Sequence, residues 1–330
     1  MDKKTPIIIV SQRQKTGGSI VLHLLCKILL DKGYNAKIFI LPYIHLHKMC
    51  TFKFWLYYIK GIVRDTIKLI ICKIFEKSSI VDNGRYKGYS YIPVKNVKRK
   101  FLPHVSKDAI VVYPEVCYGN RLKARNVVRW LLSYPPFPND GNAYGEKDLF
   151  FVYRTIFNDD KLNHKCRVLK LSYFDYNLYK QTNFGERSGK CYMLRKGETR
   201  DDLPLNLKHE EFILDHLCES QIVESFNKYK YCYFYDCQTF YSIIAAICGC
   251  IPIIICEKNK FRKDYLGPNE YGYGIAYGDT EEEINFAINT RYKLIDHINS
   301  FREKNDINVK NFITECENYF RPLPVKQKRM

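Results

Sequence analysis

The sequence lacks the repeats and short motifs that mark several large protein classes. It has no Gly-X-Y repeat, no heptad array and no longer internal repeat, which excludes collagen-like, coiled-coil and solenoid folds. No G-x-G-x-x-G fingerprint follows its first apolar strand, so a nicotinamide-binding domain loses its main support. No Cys-x-x-Cys pair occurs either, which argues against a zinc ribbon or finger.

The 13 cysteines would suit a disulfide scaffold only in a short secreted chain. This chain is long, its cysteine count is odd, and no signal-peptide pattern opens it. Cys26 and Cys72 lie inside apolar runs, where a free thiol behaves as a small hydrophobic group. Cys248 and Cys250 flank Gly249 without a second pair at zinc spacing. We therefore expect reduced cysteines, a cytoplasmic protein and no metal site.

The composition is that of a globular protein with an anionic partner. The chain has 330 residues, of which 46% are hydrophobic and 27% charged, so it is not disordered and is long enough for two domains. Its net charge is +18. Such an excess implies binding to a phosphorylated small molecule, to acidic lipid head groups or to nucleic acid.

A stretch without charge, CQTFYSIIAAICGCIPIIIC, covers residues 237–256. Its length matches a membrane-spanning helix, but Gly249 and Pro252 interrupt a continuous helix. A helix ending at Cys248, a tight turn and a buried strand over 251–256 fit the pattern better. The pattern predicts a parallel sheet covered by helices, with a membrane span as the alternative.

Residues 51–77 combine basic charge with apolar surface. Lys60, Arg64 and Lys68 recur every four residues, so they lie along one helical face. Seven apolar residues supply the remaining surface: Phe54, Trp55, Ile59, Ile62, Val63, Ile67 and Ile70. A basic amphipathic helix of this kind lies on an anionic membrane, or packs its apolar side on a domain core. Both interpretations stay open, and they are compatible.

The remaining pattern predicts two successive α/β halves. A strand at 6–10, a polar loop with Gly17 and Gly18, a helix ending near Gly33 and a strand at 36–41 form a βαβ unit. The later elements are strands at 108–113, 149–153, 167–171, 190–194, 231–235 and 251–256, and helices at 124–132, 220–229, 239–248 and 281–298. The polar stretch at 181–188 suggests domains of 1–182 and 183–330. Ligands of such folds bind at the carboxyl ends of the strands.

One candidate anion site lies in the second half. A strand ends at Asp236, and the next helix is expected to present Thr239 and Ser242 in its first turn. Free N–H groups and the helix dipole favour an anion there, although N-capping by Thr239 is the simpler explanation. Arg195 and Lys196 follow the preceding strand. Two cations and a helix start in one cleft suit a diphosphate.

With these residues in view, the whole chain resembles GT-B-fold glycosyltransferases that build bacterial lipopolysaccharide or capsule. The resemblance rests on the order of three blocks: the Gly17-Gly18 loop with KGYN at 32–35, YPEVCYGNRLKARNVVRWLL at 113–132, and AAICGCIP at 245–252. It implies an α/β GT-B fold with two Rossmann-like domains facing a central cleft. It also implies a nucleotide-diphosphosugar donor and a glycan or lipid-linked acceptor.

The resemblance extends to the site and to metal use. Donor-binding residues are then Gly17, Gly18, Arg195, Lys196, Thr239 and Ser242. GT-A transferases hold a divalent metal through an Asp-x-Asp triplet, and no such triplet occurs here. We therefore expect no metal and no other cofactor, with cationic side chains stabilising the departing diphosphate.

Two departures leave the stereochemical course open. Retaining GT-B families carry two glutamates eight positions apart before the glycine that corresponds to Gly249. The first position is Asp236 here, and the second is Ile244, which cannot hydrogen-bond a ribose. Arg121 replaces the proline expected after Gly119-Asn120.

Glu115 and Asp236 are the candidate catalytic residues. Direct inversion requires a general base, and Glu115 follows a strand that ends at the cleft, although it alternatively pairs with Arg121 or Arg125. Asp236 contacts the donor sugar or caps the next helix. His23, inside the first helix, is expected to be structural.

Three functions follow as hypotheses. The first is a metal-independent glycosyltransferase, peripheral on the inner face of the cell membrane. The second is a GT-B-like nucleotide-sugar-binding protein without catalysis, suggested by Ile244. The third is a basic nucleic-acid-binding protein, which no binding motif supports, and we expect no nucleic-acid partner.

Overall fold

The computed structural model describes residues 2–12, 16–41, 51–74, 97–98, 105–204, 207, 212–268 and 270–320, with the backbone alone at 51, 65, 66, 68–74 and 97–98. Residues 75–77 of the predicted basic insert lie outside this part. The strands are β1 (Ile7–Gln12), β2 (Ala36–Leu41), β3 (Val97–Lys98), β4 (Ile110–Pro114), β5 (Asn126–Leu131), β6 (Leu149–Val152), β7 (Ser188–Met193), β8 (Tyr229–Phe234), β9 (Ile251–Ile254) and β10 (Ala276–Tyr277). The α-helices are α1 (Gly17–Asp31), α2 (Thr51–Ile74), α3 (Glu219–Lys228), α4 (Tyr241–Cys248), α5 (Arg262–Tyr265), α6 (Glu281–Glu303) and α7 (Asn305–Phe320).

The chain forms two compact units, and each contains one parallel sheet with helices, which is an α/β fold. The first unit comprises Met1–Tyr173 and Glu303–Met330, and the second comprises Phe174–Arg302. The sequence instead suggested a boundary at 182/183 with all later residues in the second domain. The difference arises because α7 returns to the first unit, where Asn305 accepts a hydrogen bond from the Ser172 amide at 2.9 Å.

The first sheet has the strand order β3-β2-β1-β4-β5-β6, and every pair is parallel. This is the order of doubly wound nucleotide-binding sheets, in which the strand order reverses between β1 and β4. Ile7, Ile8 and Ile9 of β1 are all fully buried, because a parallel sheet carries cover on both faces. Alternate residues of β1 point to opposite faces: Ile7 and Ile9 pack with α1 and α7, and Ile8 packs with α2.

The second sheet has the order β10-β9-β8-β7 and is also parallel. Its core joins residues from β7, β8 and β9 to α3, α4 and α6. Gly249, with φ of +94°, ends α4 in the left-handed conformation. This confirms the predicted break before β9, since an L-residue with a side chain rarely takes that conformation.

Two predicted elements are wrong. Residues 126–131 form strand β5 and not part of a helix over 124–132. Val127, Val128, Trp130 and Leu131 are almost completely buried, and so is Arg129 between them. When residues on both faces are buried, no period separates a buried strand from a buried helix. The segment at 167–171 forms only an isolated bridge, between Val152 and Val168.

Helix α7 was not predicted, although the sequence carries a signal for it. Val309, Phe312, Ile313 and Cys316 are spaced as one helical face, and all four are buried in the core of the first unit. The last element predicted from the sequence was the preceding helix, over 281–298, and no element was assigned to this segment.

A buried ion pair ties β5 to the loops at the carboxyl edge of the first sheet. The Arg129 side chain is fully buried, and its Nε lies 2.7 Å from Oδ2 of Asp148. The same guanidinium donates to the carbonyls of Cys117 at 2.7 Å and Gly119 at 3.0 Å. Arg129 thereby fixes the loop that follows β4.

Replacing Asp148 with asparagine is expected to lower the free energy of unfolding by about 3–5 kcal/mol, because the buried guanidinium loses its counter-charge. Urea denaturation at neutral pH measures this loss. Asp160→Asn, at an exposed position, is the matched control. A loss below about 1 kcal/mol in Asp148→Asn would show that this pair is not held in a low-dielectric interior.

His23 is fully buried in α1, as expected of a structural histidine. Burial lowers its pKa from 6.5 to about 4, so the folded protein holds it neutral where the unfolded chain binds a proton. The free energy of unfolding therefore falls as pH decreases from 6.5 towards 4. We expect this residue to account for about 2 kcal/mol of the difference between pH 7.5 and pH 5, measured by urea denaturation. His23→Leu should remove that share and His216→Gln, on the surface, should not.

None of the described helices is long and apolar enough to cross a membrane.

Candidate functional site

The first unit places Gly17, Gly18 and Glu115 at the carboxyl edge of its sheet, next to the reversal between β1 and β4. Thr16 caps α1, and its side chain accepts from the Ser19 amide at 3.2 Å. Gly17 and Gly18 are therefore the first two helical residues. Among the described residues, a Cβ at Gly17 would meet no atom within 4 Å, whereas one at Gly18 would lie 3.3 Å from Cδ1 of Leu132.

Glu115 follows β4 directly and is 5% exposed. Its Oε2 accepts a hydrogen bond from the Leu132 amide at 2.9 Å, which joins the ends of β4 and β5. Leu132 also lies beside Gly18, so the structure brings Glu115 and the start of α1 to one place. The carboxylate thus has a structural contact at the carboxyl end of β4, and its role as a base stays a prediction.

The second unit places Arg195, Lys196, Asp236, Thr239 and Ser242 at the carboxyl edge of its own sheet. Arg195 follows β7 with a left-handed φ of 49°. Asp215 holds this backbone in place: its Oδ1 accepts from the Arg195 amide at 2.6 Å, and its Oδ2 accepts from the Leu194 amide at 2.9 Å. Asp215 was not predicted, and nothing in its sequence context distinguishes it.

The Arg195 and Lys196 side chains are exposed. The Arg195 guanidinium lies 4.6 Å from the ring centroid of Tyr241, the first residue of α4. A cation over an aromatic face is held in place without losing its charge. Arg195 therefore lies next to the start of α4 within the second unit.

Asp236 lies at the end of β8 beside the same cations. Its carboxylate accepts from the backbone amides of Gln238, at 3.2 Å, and of Lys196. Burial raises the pKa of Asp236, and the two backbone hydrogen bonds and the Lys196 and Arg195 charges oppose that rise. Asp236 therefore links β7 to β8 at the point where the cations emerge.

Helix α4 begins at Tyr241, two residues later than the sequence suggested. The turn before it is closed by Asp236, whose carbonyl accepts from the Thr239 amide at 3.3 Å. Thr239 Oγ1 accepts from the Tyr241 amide at 3.3 Å, and the buried Ser242 hydroxyl donates to the Thr239 carbonyl at 2.9 Å. Both predicted phosphate ligands thus already take part in local hydrogen bonds.

Gly197 is a further residue that the sequence reasoning missed. A Cβ at this position would lie 2.3 Å from the Tyr235 carbonyl oxygen, so only glycine lets the turn after β7 pass over β8. The sequence signal is a glycine directly after the Arg195-Lys196 pair. Arg200 then donates to the carbonyls of Tyr235 at 3.1 Å and Ile255 at 2.6 Å, which fixes the ends of β8 and β9.

Ile244 is 2% exposed and belongs to the core of the second unit. This apolar side chain therefore serves the packing of the core and offers no hydrogen bond to a ligand. A surface cavity of about 560 Å³ in the same unit is lined by Arg262, Tyr271 and Phe286, among others, and by none of the predicted site residues. Within the described part of the chain, no three His, Cys, Asp or Glu side chains are grouped to hold a metal ion.

No protein-family model matches the chain, and no curated protein matches it in sequence. Two solved structures are similar to it along nearly its whole length. One is an alpha-glucosyltransferase in complex with UDP and a 13-mer DNA containing a HMU base, at 11% identity and a TM-score of 0.38, covering 96% of this chain and all of that one. The other is the glycotransferase of kitacinnamycin, at 8% identity and a TM-score of 0.38, covering 97% of this chain and all of that one. Both TM-scores are below 0.5, and neither likeness establishes a function for this chain.

Proposed function

We propose that the chain is a GT-B-type glycosyltransferase that moves a sugar from a nucleotide-diphosphosugar to an acceptor hydroxyl without a metal ion. The acceptor is a surface-polysaccharide or lipid-linked glycan, of the lipopolysaccharide or capsule class, at the inner face of the cell membrane. One observation carries the proposal: the exposed Arg195 and Lys196 lie at the carboxyl edge of the second sheet, against Asp236 and the start of α4.

This arrangement suits the leaving group of sugar transfer. When the glycosidic bond to the donor breaks, negative charge accumulates on the departing diphosphate. Fixed cations aimed at that charge lower the barrier because they need no reorganisation during the reaction. Arg195 is held in position at two points: Asp215 binds its backbone amide, and the Tyr241 ring lies against its guanidinium.

The sequence of the first unit supplies the acceptor-side candidate. Glu115 lies at the reversal of strand order, where ligands of doubly wound sheets bind. In direct inversion its carboxylate takes the proton of the acceptor hydroxyl. Asp236 contacts the donor sugar in this proposal.

A second candidate is nucleotide-sugar binding without turnover. The apolar Ile244 stands where retaining GT-B families carry a glutamate, and it is buried. This candidate keeps the Arg195 contact with the diphosphate but has no catalytic step.

A panel of UDP-, GDP-, CDP- and dTDP-sugars distinguishes the two candidates. The transferase is expected to bind at least one donor and to release its nucleoside diphosphate, faster with a glycan acceptor and at an unchanged rate in EDTA. Binding of a donor without any release supports the second candidate. Failure of every donor to bind contradicts both, and loss of turnover in EDTA contradicts the metal-independent step.

A further inference from the structure

Helix α2 has two apolar faces, and only one of them is covered by the described part of the first unit. Phe54 is 3% exposed and Tyr58 is 5% exposed, and both pack with Phe39 and Val111 of the sheet. Trp55 is partly buried beside them, 5.1 Å from Tyr58 between ring centroids. This face anchors α2 to the first unit.

The opposite face carries a continuous exposed apolar stripe. Its members follow at spacings of four, three, four and four residues, which keeps them on one side of a helix. Their exposed fractions are large: Phe52 77%, Leu56 56%, Ile59 58%, Val63 51% and Ile67 51%. Isolated exposed apolar residues are ordinary, but a contiguous stripe marks an interaction surface.

A cationic edge runs beside this apolar stripe. Lys53, Lys60 and Arg64 are exposed and follow at seven and four residues, so they too share one side of α2. Across 51–74 the sequence has five basic residues, Lys53, Lys60, Arg64, Lys68 and Lys73, and one acidic residue, Asp65. A partner that complements this face needs an apolar region against the stripe and negative charges against the cationic edge.

We propose that the exposed face of α2 docks on an anionic lipid bilayer, with the apolar stripe in the head-group region and the cationic edge against lipid phosphates. Interfacial helices have this composition, and such binding strengthens with anionic lipid. A protein partner would need an apolar groove with acidic residues along its margin. An anionic bilayer offers the same combination, because its acyl chains are apolar and its phosphates are negatively charged. This inference rests on the proposed function, in which docking brings the protein to a lipid-linked acceptor. Lipid binding is measured without catalysis, so the failure of one proposal is distinguished from the failure of the other.

Co-sedimentation of the full chain tests the proposal with vesicles of phosphatidylcholine, alone and mixed with phosphatidylglycerol. Binding is expected to the mixed vesicles and to weaken with salt. Lys60→Gln/Arg64→Gln should lower the partition coefficient about 25-fold, from about 5-fold for each charge. Ile59→Glu/Val63→Glu should lower it at least about 10-fold.

Matched controls lie on α7, outside the proposed face. The exposed fraction of Ile307, 61%, is similar to that of Ile59. Lys310 is also exposed. Ile307→Glu and Lys310→Gln should leave partition unchanged. Quenching of tryptophan fluorescence by brominated acyl chains adds a local readout. The sequence has two tryptophans, and Trp130 is fully buried, so the quenching should come from Trp55. Trp55→Phe should therefore remove it.

Three results would overturn the proposal. The first is no binding to either vesicle. The second is equal binding of wild type and Ile59→Glu/Val63→Glu to the mixed vesicles. The third is a dimer without lipid that the same double variant converts to a folded monomer, which would make the stripe an interface between two copies of the chain.

Discussion

Replacing Arg195 with asparagine is expected to lower kcat/KM for the nucleotide-sugar donor by about 10²–10³-fold. The reason is the loss of a fixed positive charge that, in the proposed function, faces the departing diphosphate. Asparagine is chosen because the backbone at this position has a φ of 49°, which asparagine tolerates better than alanine. The stability of the fold should therefore change little, and steady-state kinetics with circular dichroism measures both quantities.

Two further variants make this result specific. Arg195→Lys keeps the charge and should retain most of the donor affinity, although it loses the planar guanidinium that lies over Tyr241. Lys293→Asn removes an exposed charge from α6, away from the carboxyl edge, and should have no effect. An Arg195→Asn enzyme that folds and turns over at the wild-type rate would exclude Arg195 from donor recognition.

Replacing Glu115 with glutamine is expected to lower kcat by about 10²–10⁴-fold if the enzyme inverts by general-base catalysis. Glutamine still offers an oxygen to the Leu132 amide, so the link between β4 and β5 is retained. Donor KM should stay near its wild-type value, because the cations proposed to bind the diphosphate, Arg195 and Lys196, lie in the second unit. Stopped-flow or steady-state turnover with a saturating acceptor measures the loss.

Glu115→Ala is the companion variant, since it removes both the base and the hydrogen bond from Leu132. Loss of the partner of this partly buried amide should lower the free energy of unfolding by about 1 kcal/mol. If Glu115→Gln keeps full activity while Glu115→Ala unfolds more easily, Glu115 is a structural residue. The stereochemical course then needs a different residue or a retaining route.

Local patterns in the sequence predicted much of each unit. The helix of the first βαβ unit, the strand at 36–41 and the break at Gly249 were all correct, because each depends on neighbouring residues. Gly17 and Gly18 were expected in the loop and instead begin α1. The segment 126–131 was not, because tertiary burial on both faces decides between strand and helix there. Helix α7 joins the first unit through Asn305 and Phe312, and no local pattern reveals a return of the chain.

The candidate site shows the same division. A basic pair after a strand is visible in the sequence, and the structure places its first member, Arg195, next to the start of α4. Asp215, which holds the Arg195 backbone, is 20 residues away in sequence and lies in a context without a recognisable motif. The close approach of Gly197 to Tyr235 likewise depends on the spacing of two strands. Sequence thus indicated the charged groups but not the residues that orient them.

The most direct test of the central claim is a crystal structure with a nucleoside diphosphate bound. UDP, GDP, CDP and dTDP would each be offered, so that the result does not depend on the choice of base. The account predicts the diphosphate within hydrogen-bond distance of the Arg195 guanidinium, beside the first turn of α4. A diphosphate bound elsewhere, with Arg195 and Lys196 left in solvent, would contradict it.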